Sequence, residues 1–267
     1  FSYIKNQERL LCQWLDHHLS IVPGWAIHIV DNNSTDSTPD ILTRYKKNHG
    51  INTHTHDHFP WKGQKITELI LRYKNHPGLS IPLDGDEFLV LMTGDRYKSH
   101  VVSSGEKIQS YLKGLSLKFG CYRTLGCLNS IPEQEYYDDP ISEITKFNWH
   151  WNDQTMCKKF YSTEKFIKTD QGNHHNGCKR LPTYNTDIAY LHYHDIGRED
   201  METRCKLICE GHGLGTLEQL QMRAGEDNKS QLDHGFVGVE RANEYLNLQN
   251  RQYTVVNSWD IQFNWNN

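Results

Sequence analysis

Three absences from the sequence exclude whole classes of protein. No apolar run approaches the roughly 20 residues that a helix needs to cross a bilayer, so the sequence predicts no membrane span. The 29 Lys and Arg residues are outnumbered by 33 Asp and Glu, and this balance offers duplex nucleic acid no basic surface. No two of the seven cysteines have CxxC spacing, which argues against a zinc ribbon or a thioredoxin-like redox site.

The remaining composition favours a folded chain whose thiols are reduced. An odd number of cysteines cannot all be paired within one chain. This usage favours a reducing compartment, on the cytoplasmic side. Apolar residues make up only 36% of the sequence, but aromatic residues reach 11% and offset the shortage because each ring buries a large area. With balanced charge and no low-complexity tract, the 267 residues predict a single folded domain.

Histidine is what the sequence has in excess, with 16 residues. A metal site is the first explanation to test, because neutral imidazole is a common metal ligand. His54, His56 and His58 alternate at strand spacing, so one strand face could present all three to zinc. No fourth ligand follows nearby, and a half-buried or exposed strand face is the alternative interpretation.

Strand and helix patterns alternate through the first hundred residues. The predicted strands are Phe1–Lys5, Trp25–Val30, Ile51–His56 and Leu79–Leu83. The predicted helices are Glu8–Leu19, a helix that is capped by Thr38 and stops near Gly50, and Lys65–Lys74. Short connections between alternating strands and helices predict an α/β fold with a mostly parallel sheet flanked by helices.

The alternation weakens after about residue 100. Predicted helices cover Ser104–Gly114 and Glu199–Glu210, and predicted strands cover Leu117–Arg123, Lys165–Thr169 and Ile188–Tyr193. Residues 129–160 are rich in Trp, Tyr, Asp and Glu without a clear period. Such a segment suits a surface that faces a substrate.

Polar clusters follow three of the predicted strands, where parallel α/β sheets bind their ligands. The clusters are Lys5-Asn6, the residues from Asp31 to Asp36, and the residues from Asp84 to Glu87. Side chains of the Asp31 cluster can accept hydrogen bonds from a base or a ribose, and they can equally build a turn and cap a helix. Three clusters that meet at one sheet edge predict a binding site there.

Asp84 and Asp86 are separated only by Gly85, so both carboxylates can serve one hard divalent cation. Mg²⁺ and Mn²⁺ use few protein carboxylates and take their other ligands from water and phosphate. The spacing therefore suits a metal-bridged nucleotide diphosphate. A simple Asp-Gly surface turn is the alternative.

These motifs resemble the GT-A glycosyltransferases, closest to the family 2-like enzymes and to family 92, formerly a domain of unknown function 23. The segments that carry the resemblance are Lys5–Arg9, Trp14–His18, Ile29–Asp36 and Leu83–Phe88, continued by Lys158-Lys159, Gly172–His175 and Leu191–Tyr193. Gln7 departs from the pattern, because the family often has Glu there. The sequence also resembles glycosyltransferases encoded by large algal viruses.

The resemblance implies a GT-A fold over residues 1–267, with a nucleotide-sugar-binding half at 1–100 and an acceptor-binding half at 101–267. It implies a metal-dependent, inverting transfer from a UDP-sugar to a glycan hydroxyl, with galactose, xylose and glucose all open as the sugar. The residues that the resemblance implies for the nucleotide sugar are Asn6, Asp31, Asn33, Asp84 and Asp86.

The resemblance also implies a metal pair. Asp86 would ligate Mn²⁺ or Mg²⁺, and His192 would complete the metal shell, with His194 as the next candidate. A histidine packed in a strand is the alternative interpretation of His192.

An inverting displacement needs a carboxylate base for the acceptor hydroxyl. Asp170 is the predicted base, because it ends a predicted strand before a glycine-containing loop, and Glu135 and Asp153 are its rivals. Four further residues are predicted to line the acceptor or diphosphate side: His174, His175, Trp149 and Trp151.

Two other classes of function remain open from the sequence. A catalytically degenerate module would bind a glycan or nucleotide without turnover, and the intact set of Asp31, Asp84 and Asp86 argues against it. A nucleotidyltransferase usually has a glycine-rich phosphate loop after its first strand, and Lys5–Arg9 contains no glycine.

Overall fold

The chain forms two compact units in a computed structural model. The model describes residues 1–56, 61–93, 100–129, 134–149, 157–174, 177–178, 181–197, 199–200 and 259–260. The larger unit comprises Phe1–Asn129, Thr145–His194 and Trp259–Asn267, and the smaller comprises Ser130–Ile144 and Asp195–Ser258. The larger unit runs across residue 100. The division of the chain into a nucleotide-sugar half and an acceptor half stays a prediction.

The first three predicted strands form a parallel sheet in the order β1-β2-β3. Their bounds are β1 Ser2–Ile4, β2 His28–Asp31 and β3 Asn52–Thr55. The fourth predicted strand runs along the free edge of β1, where Phe1 donates to the carbonyl of Ile81 at 3.0 Å and accepts from the amide of Leu83 at 2.9 Å. These two bonds follow the parallel pattern, so the carboxyl ends of all four segments lie at one edge.

The described residues include five α-helices. They are α1 Leu11–Ile21, α2 Thr38–His49, α3 Lys62–Leu71, α4 Gly105–Gly114 and α5 Pro140–Glu143. Thr38 is the first residue of α2 rather than its cap, because the preceding Asp36 carboxylate accepts from the Thr38 amide at 3.0 Å. The helix stops as predicted at Gly50, whose φ of +71° suits a residue without a Cβ.

The remaining strands of the described residues form a second, eight-stranded sheet. Its strands are β4 Leu79–Ser80, β5 Glu87–Thr93, β6 His100–Val102, β7 Cys121–Asn129, β8 Lys146–Trp149, β9 Lys159–Ser162, β10 Thr183–His192 and β11 Trp259–Asp260. The main path is β11-β8-β7-β10-β5-β6, and β9 bridges β4 and β7. Only β7 and β10 pair in parallel here. The predicted α/β class is confirmed, with parallel pairing concentrated in the first sheet.

Several later predictions need correction. Lys165–Thr169 is not a strand: a short 3₁₀ helix covers Thr163–Lys165, and residues 166–170 have no regular secondary structure. The strand predicted at Leu117–Arg123 starts later, as β7. Strand β8 and the first two residues of β9 lie in residues 129–160, where no period was visible. Of the helix predicted over Glu199–Glu210, only its first two residues are described.

Helix α3 packs in a hydrophobic core cluster of the larger unit. Its Ile66, Leu69 and Ile70 belong to one cluster with Tyr3 and Val30 of the parallel sheet, and the cluster also contains Cys121, Tyr161, Phe166 and Cys178. This packing fixes the start of α3 beside the carboxyl edge of the first sheet.

Two buried histidines fasten α1 to β5. His17 Nε2 lies 2.6 Å from the carbonyl of Leu89, while His18 Nδ1 bonds the carbonyl of Trp14 at 2.7 Å. The amide of Leu89 donates to His18 Nε2 at 3.4 Å. Burial lowers the pKa of His17 to about 4 and that of His18 well below its ordinary value, so both rings are neutral structural groups at pH 7.

No described helix is both long and apolar enough to cross a membrane.

Candidate functional site

Hydrogen bonds join the loop after β1 to the loop after β2. The amide of Asn6 donates to Ser34 Oγ at 2.8 Å, and the amide of Thr35 donates back to Asn6 Oδ1 at 2.9 Å. Both Asn6 and Asn33 have positive φ, near 50°, a conformation that asparagine tolerates better than most residues. The predicted loop residues therefore hold a defined backbone shape.

Asp31 ends β2 as predicted and is almost fully buried. Its Oδ1 accepts from Ser34 Oγ at 2.5 Å and from the Ser34 amide at 3.2 Å. Asp31 thus helps to build the turn, which was one of the two interpretations that its cluster left open. A ligand contact through the same carboxylate is compatible with this role.

At Gly85 the third polar cluster meets the two residues that flank the first cluster. A Cβ on Gly85 would lie 2.7 Å from Ile4 Cγ2 and 3.3 Å from Gln7 Cγ. Trp14 secures the same segment from α1, because its Nε1 donates to the carbonyls of Asp84 at 3.1 Å and Glu87 at 2.8 Å. The three clusters predicted to converge at the sheet edge do so.

Asp84 is held between two lysines. Lys62, the first residue of α3, places Nζ 2.5 Å from Oδ1, and Lys158 places Nζ 2.8 Å from Oδ2. Burial by itself would raise the pKa of Asp84, but Lys158 and then Lys62 outweigh it and hold that pKa well below its ordinary value. Both carboxylate oxygens of Asp84 are therefore committed to ammonium groups.

Glu87 shares Lys158 with Asp84. Its Oε2 accepts from Lys158 Nζ at 2.7 Å and from the Asp84 amide at 2.8 Å. Glu87 has no exposed surface, and burial raises its pKa although Lys158 opposes the shift. Asp84, Glu87 and Lys158 form a buried charge cluster behind the loop.

Asp86 and His192 come together as the resemblance implied. His192 ends β10 and lies opposite Glu87 of β5 in the antiparallel register. Its Nε2 is 3.5 Å from Asp86 Oδ2, and the amide of Tyr193 donates to the carbonyl of Asp86 at 2.8 Å. Burial would lower the pKa of His192, but Asp86 and then Glu87 raise it above its ordinary value.

The Asp86–His192 pair fits a hard or borderline divalent cation. Two neighbouring ligands of an octahedral ion with bonds of about 2.1 Å lie about 3 Å apart, close to the observed 3.5 Å. Among the described residues, no group of three or more His, Cys, Asp or Glu side chains could hold a metal ion. Two protein ligands leave room for phosphate and water, as Mn²⁺ and Mg²⁺ sites on nucleotides require.

Asp170 and His174 lie on one tight loop beside α3. The amide of His174 donates to Asp170 Oδ1 at 2.9 Å, and the backbone of Asp170 passes so close to Gly63 that a Cβ there would lie 2.7 Å from its carbonyl carbon. Burial, followed by Lys158, lowers the pKa of His174 to about 4. This loop therefore stands next to Lys62 and within electrostatic reach of the charge cluster.

The other predicted site residues are only partly described. Trp149 belongs to β8, with its side chain outside the described part, and His175, Trp151 and Asp153 lie outside the described residues. Glu135 belongs to the smaller unit. His194 packs edge-on to His192, with ring centroids 5.0 Å apart.

In the described part of the chain, no cluster of metal-binding side chains supports a zinc site at His54, His56 and His58. His54 Nε2 faces His28 Nδ1 at 3.4 Å, while His56 Nδ1 meets the hydroxyl of Tyr3 at 3.0 Å. His58 is not among the described residues.

Sequence reasoning missed three charged residues of the site. Glu87 and Lys158 stood inside quoted motifs without a role, and Lys62 gave no signal at all. Lys158 and Glu87 form an ion pair although they lie 71 residues apart in the sequence, and no local pattern reveals such a contact. The lysine pair Lys158-Lys159, which leads into the buried run of β9, was the one usable sign for Lys158.

Comparisons with known proteins give structural neighbours only. No protein-family model matches the chain, and no curated protein sequence matches it. The fold is similar to S. aureus TarS 1–349, with 12% identity, a TM-score of 0.44, and coverage of 94% of this chain and 71% of that one. For TarS 1–349 in complex with UDP, the identity is 13% and the TM-score 0.40, over 92% of this chain and 70% of that one. For TarS, the identity is 13% and the TM-score 0.37, over 95% of this chain and 43% of that one. The resemblances to family 92 and to algal-virus enzymes stay predictions.

Proposed function

We propose that the protein is a metal-dependent, inverting glycosyltransferase that moves a sugar from a UDP-sugar to a glycan hydroxyl. The observation that carries the proposal is the meeting of three polar loops at the carboxyl edge of the parallel sheet, with Asp86 Oδ2 and His192 Nε2 3.5 Å apart beside them. Such an edge is where open α/β sheets bind nucleotides. Galactose, xylose and glucose are the candidate sugars.

In this proposal the hydrogen-bonded loops after β1 and β2 hold the nucleoside. Asp31 accepts from the base or ribose, beside Asn6 and Asn33. The hydrogen bonds between these loops fix their shape before the ligand arrives, which limits the entropy lost on binding.

In this proposal Asp84 has a different role from the nucleotide-sugar contact that the resemblance implies. Because Lys62 and Lys158 occupy both of its oxygens, it acts here as the counter-ion that holds two ammonium groups at the donor site, and any ribose contact has to share its oxygens with them.

Asp86 and His192 would hold Mn²⁺ or Mg²⁺ in this proposal. The cation would neutralise charge that develops on the departing diphosphate. Asp170 would take the proton of the acceptor hydroxyl, which an inverting displacement requires. The His174 amide fixes one oxygen of Asp170 and so limits the directions in which the carboxylate can point.

A nucleotide-sugar panel tests the proposal. The full chain is incubated with UDP-galactose, UDP-xylose, UDP-glucose and a non-uridine donor, each with Mn²⁺ or with a chelator, and thermal shift and sugar release are measured. Stabilisation and hydrolysis by one UDP-sugar only with Mn²⁺ are expected. Stabilisation without hydrolysis would favour a binding module. Release of pyrophosphate when a nucleoside triphosphate and a sugar phosphate replace the donor would favour a nucleotidyltransferase.

A further inference from the structure

Glu87 uses only one of its two carboxylate oxygens. Its Oε2 is fixed by Lys158 Nζ at 2.7 Å and by the Asp84 amide at 2.8 Å. Its Oε1 is buried and accepts no hydrogen bond from the described residues. An unpaired buried acceptor costs free energy, so this oxygen calls for a partner.

His192 is the group that faces this oxygen. The antiparallel register places His192 opposite Glu87, and Nδ1 of the ring lies 3.9 Å from Oε1. The other ring nitrogen, Nε2, points to Asp86 Oδ2 at 3.5 Å. The imidazole is thus bracketed by two carboxylates, one at each nitrogen.

We infer that Glu87 is the positioning residue of His192: Oε1 accepts Nδ1–H, which leaves the lone pair of Nε2 beside Asp86 for a divalent cation. The contact closes by a movement of about 1 Å, since such hydrogen bonds measure about 2.9 Å. Glu87 itself is anchored through Oε2, so the ring of His192 moves. A carboxylate behind a metal-binding histidine fixes its tautomer and orientation.

The inference rests on the proposed metal site, and its test is Mn²⁺ binding rather than turnover. The metal-free full chain is titrated with Mn²⁺ alone by calorimetry. Glu87→Gln removes the charge at nearly constant shape and is expected to weaken Mn²⁺ binding about ten- to a hundred-fold. Glu68→Gln, on an exposed face of α3, is the matched control and is expected to leave the affinity unchanged.

A second measurement needs no variant of Glu87 to fold. Wild-type protein with ¹⁵N-labelled histidine is saturated with Mg²⁺, and His192 is assigned by the signals lost in His192→Gln. Long-range ¹H–¹⁵N spectra are expected to show the proton on Nδ1.

The outcomes separate the two claims. A proton on Nε2 of His192, or full Mn²⁺ affinity in Glu87→Gln, would overturn the positioning role while leaving the metal site in place. A wild-type chain that binds neither cation would overturn the metal site and, with it, this inference.

Discussion

At the residue scale, Lys158 is the cation that two carboxylates of the site share. It is buried and reaches both Asp84 and Glu87 within 2.8 Å. These two carboxylates raise the pKa of Lys158 against the effect of burial. Removing one partner of such a buried cluster leaves uncompensated charge, which costs more than the intact pair contributes.

Lys158→Met is therefore expected to lower the free energy of unfolding by about 3–5 kcal/mol, measured by urea denaturation. Lys65→Met makes the same change at a pair of α3, where Lys65 Nζ is 3.7 Å from the half-exposed carboxylate of Glu68. That control is expected to cost less than about 1 kcal/mol. Equal effects of the two substitutions would contradict the role given to Lys158.

Asp170→Asn tests the predicted base. The Asn oxygen can still accept from the His174 amide, so the loop is expected to keep its shape. Loss of a general base lowers kcat by roughly 10²- to 10⁴-fold, with donor binding in a thermal-shift assay unchanged. Asp40→Asn, on the exposed side of α2, serves as control, and a kcat equal to that of the control would remove Asp170 from the mechanism.

At the scale of elements, one glycine decides how α3 meets the loop that carries Asp170. Gly63 lies in the first turn of α3. A Cβ there would approach the carbonyl carbon of Asp170 to 2.7 Å and its oxygen to 3.0 Å. Backbone atoms cannot yield as a flexible side chain does, so the close approach requires glycine.

Gly63→Ala is expected to destabilise the protein and to lower the affinity for the donor, although alanine favours a helix by about 1 kcal/mol. Gly114→Ala at the last residue of α4 is the matched substitution, since a Cβ there meets no atom within 4 Å. Thermal melts of both variants separate the clash from propensity. A Gly63→Ala protein as stable as Gly114→Ala would contradict the packing of this loop.

The elements also show what the sequence could and could not predict. Strands β1 and β2 are short buried runs that end in polar residues, and the alternating pattern of Ile51–His56 identified the partly exposed β3. The strand predicted at Lys165–Thr169 is wrong for a physical reason. The amides of Ile167 and Lys168 both donate to the carbonyl of Gly177, and two bonds to one carbonyl do not form the ladder of a strand. The charge cluster escaped because only the folded chain brings Lys158 to Glu87.

At the scale of the whole molecule, part of the histidine excess is structural in the described residues. His17 and His18 are neutral and buried between α1 and β5, and His192 alone stands against the predicted metal ligand Asp86. Neutral buried histidines make stability depend on pH, because the unfolded chain binds protons that the folded chain refuses.

The sign follows from the lowered pKa of His17. Its stabilising effect is fully present above its ordinary pKa of 6.5 and is lost as the pH falls from 6.5 towards its folded value of about 4. The shift corresponds to about 3 kcal/mol at the acid end. His17→Gln is expected to flatten the fall in unfolding free energy between these two pH values, measured by urea denaturation at a series of pH values. An unchanged slope would contradict the burial of a neutral ring.

The central claim is that a cation held by Asp86 serves transfer from a UDP-sugar. The most direct measurement is UDP release from the accepted donor by wild type, Asp86→Asn and the control Asp40→Asn, each with Mn²⁺ and with a chelator. We expect Mn²⁺-dependent release by wild type and the control, and near-total loss in Asp86→Asn with an unchanged melting temperature. Equal release by Asp86→Asn, or release that persists in the chelator, would contradict it.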